Sequence, residues 1–383
     1  MTAIRSAADS STDQIPDPND GVLGRPVDEL VTPVLTLDLA AFERNAAAIS
    51  GYLRDHGLGW RPHAKGHKSP ILAQRQVDLG AIGVTVAKVG EAEVMAAGGI
   101  RSILVVTEQA TLERLGRVAR LQRIAEVIVP VDDPLQVQMA GEAARAEGVT
   151  IPVVIEVDIG MKRGGVEPGT PALMLATQIA GTAGLRFAGV FGYEGHLLPV
   201  WPLDEKERQI REALGWLVDT ARQIEAAGIP VPIVTAGGTG SYRISATVPG
   251  ITELEAGGGC FMDNMYADLC HVTGLEFALT VRAMVVSRPA PDRAIIDAGW
   301  KTMSYAHGVP TPVDRPGVTV KSLSAEHGTL IVDPSAEPLR IGDVIEFILG
   351  YHDSTVVLHD RFYGTRGGVV TEIIPIAARG RLS

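Results

Sequence analysis

Between residues 59 and 259 the chain alternates eight times between a short run suited to a strand and a longer stretch suited to a helix. The runs are GWRPHAK (59–65), IGVTVAKV (82–89), SILVVT (102–107), EVIVPVD (126–132), PVVIEVDIG (152–160), FAGVFGYEG (187–195), PIVTAGG (232–238) and ITELEAGG (251–258). Segments such as TLERLGRVARLQRI and DEKERQIREALGWLVDTARQIEAAG separate them. The second of these places Ile210, Leu214, Leu217 and Ala221 at helical spacing and stops at Gly228. Strand then helix, repeated, predicts parallel strands joined by crossover helices. Eight such units suit a (β/α)8 barrel better than an open sheet.

After about residue 275 the texture changes. Alternating apolar runs such as LEFALTVRAMVVSRPA, RAIIDAG, GTLIVDP, DVIEFILG and STVVLHDRFYGTRGGVVTEIIPI are separated by turn residues. They predict a β-rich second domain. The expected division is a tail over 1–30, the barrel over 31–275 and the β-domain over 276–383. PVLTLDL (33–39) fits either body, so residues 20–38 are left open between the two. The opening MTAIRSAADSSTDQIPDPNDG has no apolar segment of a secretion signal and reads as a loose tail.

Bulk properties narrow the partners. A net charge of −11 argues against nucleic acid and anionic membrane, which need a basic surface. No apolar run is long enough to cross a membrane. The two cysteines, Cys260 and Cys270, are too few for a disulfide framework or a Cys-rich zinc module, and suit reduced thiols in a cytoplasmic protein. A small-molecule substrate and another protein subunit remain.

Barrel chemistry collects at the C-terminal ends of the strands. There this chain offers His63-Ala64-Lys65, Asp158 to Arg163, Tyr193-Glu194-Gly195-His196, and two glycine-rich turns, AGGTGS (236–241) and AGGG (256–259). Two such turns after the last two strands suggest a phosphate site, although glycines also simply make turns. Lys65, at the end of a barrel strand, would be desolvated and suited to carbonyl chemistry; Lys68 is its rival within RPHAKGHK. A phosphate site and an inward lysine together suggest pyridoxal 5'-phosphate (PLP).

Resemblance sharpens this. RPHAKGHK is similar to the RPHAKTHK-type stretch of the D-threonine aldolase and D-serine dehydratase family, fold-type III PLP enzymes related to alanine racemase. DIGMKRGGV, GYEGHL, TAGGTGSY, FMDNMY, DAGWK, SAEHG and TVVLHDRFY also follow in family order, from about residue 30 to the end. The resemblance implies that Lys65 holds PLP and shuttles protons, that His63 orients the site, and that His67 can reach substrate. It also implies that Arg163 lies near the cofactor ring and that Tyr193 contacts cofactor or substrate. The backbones of Gly237, Gly238, Thr239, Gly240, Gly258 and Gly259 would cradle the phosphate, and His196 is a candidate base.

The family's divalent ion, held by a His-x-Cys or His-x-Asp pair, polarises the substrate β-hydroxyl. This chain reads Gly350-Tyr351-His352-Asp353-Ser354-Thr355, with histidine and aspartate adjacent. His352 and Asp353 are the expected ligands, with His359 as the alternative, for Mg, Mn or Zn. Anchoring on Thr355 instead keeps Asp353 and puts Tyr351 where the histidine belongs. Gly66 where the family often has Thr, GGGC over 257–260, and Trp300 near the domain boundary are further departures.

The expected activity is PLP-dependent cleavage of a D-β-hydroxy-α-amino acid to glycine and an aldehyde. Dehydration of such an amino acid to a keto acid and ammonia is the close alternative. A racemase, with Tyr305 or Tyr351 as second base, and a non-catalytic PLP-binding protein are more distant ones. The resemblance implies a homodimer.

Overall fold

The computed structural model describes residues 17–383. The tail expected over residues 1–16 lies outside the described residues. From residue 17 the tail reading fails. Val22 and Leu30 are buried in a cluster with Val34, Tyr363 and Val370. The amides of Gly24 and Val27 donate to the carbonyls of Val370 and Gly368. Two apolar side chains and a backbone ladder hold this segment against the second body.

Strand β1 (Val34–Asp38) leads into a helix, Leu39–Asp55, that Asp38 caps by accepting from the Ala40 and Ala41 amides. Eight parallel strands follow: β2 (Gly59–Trp60), β3 (Val84–Val86), β4 (Ser102–Val105), β5 (Glu126–Val131), β6 (Ile151–Glu156), β7 (Leu185–Phe191), β8 (Ile233–Ala236) and β9 (Glu253–Leu254). Their order is β2-β9-β8-β7-β6-β5-β4-β3. A parallel bridge from His63 to Thr85, with bonds from the Ile82 and Thr85 amides to the Trp60 and Pro62 carbonyls, joins the two ends. Every one of the eight expected runs contributes a strand. β6 is buried at all six positions, as a strand covered on both faces must be.

The crossover helices form where caps and apolar stripes agree. In Pro134–Glu147, Asp133 accepts from the Leu135 amide at 2.7 Å, proline opens the first turn, and Gly148 at φ +65° ends it. Leu203–Ala226 buries Ile210, Leu214, Leu217 and Ala221, the stripe read from the sequence. Each large apolar side chain buried this way contributes about 1.5–3 kcal/mol.

The second body contains β10 (Leu279–Ala290), β11 (Arg293–Ile296), β12 (Thr311–Pro312), β13 (Val318–Leu323), β14 (Gly328–Val332), β15 (Val344–Ile348), β16 (Arg361–Arg366) and β17 (Val369–Pro375). Its main path is β13-β14-β11-β10-β1-β16-β17. β1 therefore lies in this sheet, antiparallel to β10 and parallel to β16. Thr36 faces Thr280 and Tyr363 in register, and its hydroxyl lies 2.9 Å from that of Thr280. Residues 20–38 thus join the second body. One expected extended run is absent: STVVLHD begins in a short helix, His352–Val356, because the chain turns after β15 with Tyr351 at its cap.

Candidate active site

Three residues beyond β2, His63 caps the turn Ala64–Gly66 by accepting from the Lys65 amide through Nδ1 at 3.2 Å. That turn carries Lys65 into a cavity of about 420 Å³ at the C-terminal ends of the strands. Lys65 is not desolvated as expected. Its side chain is 40% exposed, and Nζ lies 3.3 Å from Asp353 Oδ2. The rest of RPHAKGHK is scaffold. Arg61 forks onto Glu253 through two bonds of 2.8 and 3.1 Å, both side chains buried. Lys68, the rival lysine, is a buried partner of Glu91, whose other oxygen accepts from the Ala87 and Lys88 amides. His67 is buried beside Gln76, and burial drives its pKa down to about 4, so the ring is neutral and does not line the cavity.

The two glycine turns line the same cavity through Gly237, Gly238, Thr239, Gly257 and Gly258. Gly237 sits at φ +75°, a conformation that favours glycine. A Cβ on Gly258 would meet the Tyr266 ring at 2.5 Å. The first turn is held from behind by Glu194, which is wholly buried. Glu194 accepts from the Gly237 amide at 3.2 Å and from the Ser241 and Ser245 hydroxyls at 2.7 and 2.8 Å. The Thr239 hydroxyl accepts from the Gly259 amide at 2.8 Å and ties one turn to the other.

The remaining wall mixes aromatics and carboxylates. Tyr193 lines it, with the Arg163 guanidinium 5.9 Å from the ring centroid. Burial pushes the Tyr193 phenol up and keeps it protonated. Glu108, Glu156 and Glu255 also face the cavity. Burial, then the neighbouring Glu108, holds Glu156 well above the usual carboxylate range. Burial and the Glu253 charge push Glu255 up to about 8. A lysine, an arginine, a glycine-built anion cradle and proton-holding carboxylates around one concavity are the parts of a PLP site.

The alanine racemase N-terminal domain model matches residues 37–265, and the serine dehydratase domain model matches residues 278–365. The chain is 36% identical over 359 residues to D-threonine aldolase of Arthrobacter sp, covering 93% of this chain and 95% of that one. The chain belongs to the D-threonine aldolase family. It is also 33% identical to 3-hydroxy-D-aspartate aldolase of Paracoccus denitrificans over 362 residues, 92% of this chain and 93% of the relative. The crystal structure of D-threonine aldolase from Filomicrobium marinum superposes with a TM-score of 0.91 at 39% identity, covering 94% of this chain and 98% of that one. D-threo-3-hydroxyaspartate dehydratase in a metal-free form superposes at 0.84 with 25% identity, covering 91% and 98%.

PLP is implied by the D-threonine aldolase family, and these residues fit it: Lys65, Arg163 and the side-chain-free glycine turns share one cavity. Some expected contacts are absent. His196 is exposed beside Gly160, where a Cβ would meet its ring at 2.9 Å, and it does not line the cavity. Gly240 packs toward Leu198 and Cys270 instead, and the Gly259 amide is already bonded to Thr239. Trp300 is 43% exposed and outside the cavity lining. Glu194, Glu156 and Glu255 went unread in the sequence because an isolated glutamate carries no signal. The placing of Glu194 inside GYEGH was the one available hint.

The second body contributes Asp353 to the cavity. The Tyr351 hydroxyl donates to Asp353 Oδ2 at 2.6 Å. His352 is wholly buried, with Nδ1 2.6 Å from Asp263 Oδ2 and Nε2 3.0 Å from Asp353 Oδ1. Burial alone would discharge the ring, but Asp263 and Asp353 overcome it and raise His352 to about 9. Burial likewise opposes charge on Asp353, yet Lys65, His352 and Tyr351 hold its carboxyl far below the usual range. His359 bonds the Thr302 carbonyl at 2.9 Å and is remote from the cavity lining.

A divalent ion does not fit this arrangement. Among the described residues no three metal-donor side chains converge. An ion on two protein ligands needs water in its remaining positions. His352 Nε2 instead is buried against the backbone of Gly66 without a hydrogen-bond partner, in a space that a single Cβ would fill. Asp353 Oδ2 already accepts from Tyr351 and faces Lys65.

Proposed function

We propose that this protein is a PLP-dependent lyase that cleaves a D-β-hydroxy-α-amino acid to glycine and an aldehyde. The carrying observation is the cavity in which Lys65 meets the two glycine turns, in a chain similar over more than nine-tenths of its length to D-threonine aldolase. When bound, PLP supplies an electron sink for the pair left at Cα as the Cα–Cβ bond breaks. Lys65 would hold the cofactor, with its turn fixed by His63. Gly237, Gly238, Thr239 and Gly258 would cradle the phosphate, and Glu194 keeps the first turn rigid. Arg163 and Tyr193 would flank the ring. Asp353 orients Lys65 and faces the place of the substrate.

Among the described residues no helix is long and apolar enough to cross a membrane. A cytoplasmic homodimer acting on a small molecule, without nucleic-acid or membrane partners, accords with the acidic chain. Product analysis tests the reading. With PLP and D-threonine, D-threo-3-hydroxyaspartate or D-serine, glycine with an aldehyde or glyoxylate is expected. A keto acid and ammonia would reassign the protein as a dehydratase.

A further inference from the structure

We infer that this enzyme grips the substrate β-hydroxyl without a divalent ion, using Asp353 as the acceptor and Tyr351 and His352 as positioning residues. This deepens the proposed function and rests on it. Among the described residues, Asp353 is the one group from beyond residue 266 that lines the cavity, and its carboxylate lies 3.3 Å from the lysine that would hold the cofactor. It therefore stands beside the reacting carbons and keeps an acceptor lone pair for a hydroxyl there.

Three features argue that no ion mediates this contact. Tyr351, two residues before Asp353, donates its hydroxyl to Asp353 at 2.6 Å rather than sharing a cation with it. His352 has one nitrogen committed to Asp263, and the other is buried against Gly66, in a space that a single Cβ would fill, 3.0 Å from Asp353 Oδ1. A metal ion on Asp353 would also crowd Lys65, whose Nζ lies 3.3 Å from Oδ2. Gly66 makes the arrangement possible, since any larger residue there would collide with the His352 ring. The glycine at 66 and the histidine at 352 are far apart in sequence and adjacent in space.

Two measurements on the PLP-loaded protein decide it. First, after dialysis against EDTA, metal content is read by mass spectrometry and Mn²⁺ alone is titrated calorimetrically. Substoichiometric metal and no binding tighter than about 1 mM are expected. Tyr351→His, which restores a His-x-Asp pair, should bind Mn²⁺ at least about tenfold more tightly than the parent. Stoichiometric metal or micromolar Mn²⁺ binding in the unaltered protein would overturn the inference, whatever reaction it catalyses. Second, D-threonine and D-2-aminobutyrate, which differ only by the β-hydroxyl, are titrated while the cofactor spectrum is followed. Asp353→Asn and Tyr351→Phe should each erase the preference for D-threonine by about five- to tenfold and leave D-2-aminobutyrate nearly unchanged. Equal weakening of both ligands would mean a merely structural role and would overturn the assignment of Asp353. A cofactor spectrum blind to both amino acids in the unaltered protein would instead sink the proposed function, and the metal titration would still stand.

Discussion

Lys65 sits between two regions built on opposite plans. The barrel side is backbone: glycine turns that leave space, backed by Glu194 and Thr239, each of which accepts from a main-chain amide of a turn. The loop from Gly350 to Thr355, with Asp263 behind it, is side chain: a phenol, an imidazole and two carboxylates in mutual contact. A backbone cradle binds whatever anion fits and tolerates little change of its own. A side-chain cluster can be rewired by exchanging two or three residues. That is where this chain departs from the family's pattern in its side-chain chemistry, while the first glycine turn, TAGGTGSY, keeps to it.

Substitutions can probe this contrast from either side. The largest effect is expected where the halves meet. Lys65→Ala should abolish the visible absorption of lysine-bound cofactor and lower turnover by at least about 10³-fold. Retention of colour and activity would place the cofactor on another lysine. On the side-chain half, Asp353→Asn keeps the shape but removes the charge that faces Lys65 and His352. It should lower turnover about 10²-fold with cofactor binding largely kept. On the backbone half, Gly258→Ala forces a Cβ against Tyr266. That should weaken PLP binding by about 1–3 kcal/mol, measured by spectral titration, and leave the turnover of the saturated enzyme less affected. If Gly258→Ala instead lowered only turnover, the division of labour between the halves would be wrong.

The smallest effect is in stability. His352 is raised to about 9 in the folded protein, so its proton favours the fold below the ordinary histidine range near 6.5. The contribution is complete at pH 6 and disappears as pH rises through about 9. Urea unfolding of the parent and His352→Gln should therefore differ by about 1–3 kcal/mol more at pH 6 than at pH 9.5. A gap that widens with pH would contradict an imidazolium held between Asp263 and Asp353.

The same contrast explains what could be read in advance. The barrel was legible because strand and helix periods repeat eight times, and each repeat corrects errors in its neighbours. Lys65 and the glycine turns were legible because the end of a barrel strand is a predictable place. Asp353 was found by its motif, but its partners were not. Asp263 acts on His352 across 89 residues, and Glu194 meets Ser241 and Ser245 across 47 and 51. Nothing local marks such pairs. The exposure of Lys65 was misjudged because a strand end says nothing about how wide the cavity above it is. β1 escaped assignment because five apolar-leaning residues fit any sheet; its partners, Leu279–Ala290 and Arg361–Arg366, decide the matter.

That strand has a consequence for how the molecule is made. β1 emerges first during synthesis, yet one of its two neighbours is β16, with which Thr36 pairs at Tyr363. The barrel, all of whose strands lie between them in sequence, can close while β1 still has a bare edge. The second body is thus a clasp whose two parts flank the barrel in sequence. Trimming the chain through residue 38 would remove an interior strand of that sheet rather than a dispensable extension, and would leave β10 and β16 exposed to pairing with other chains.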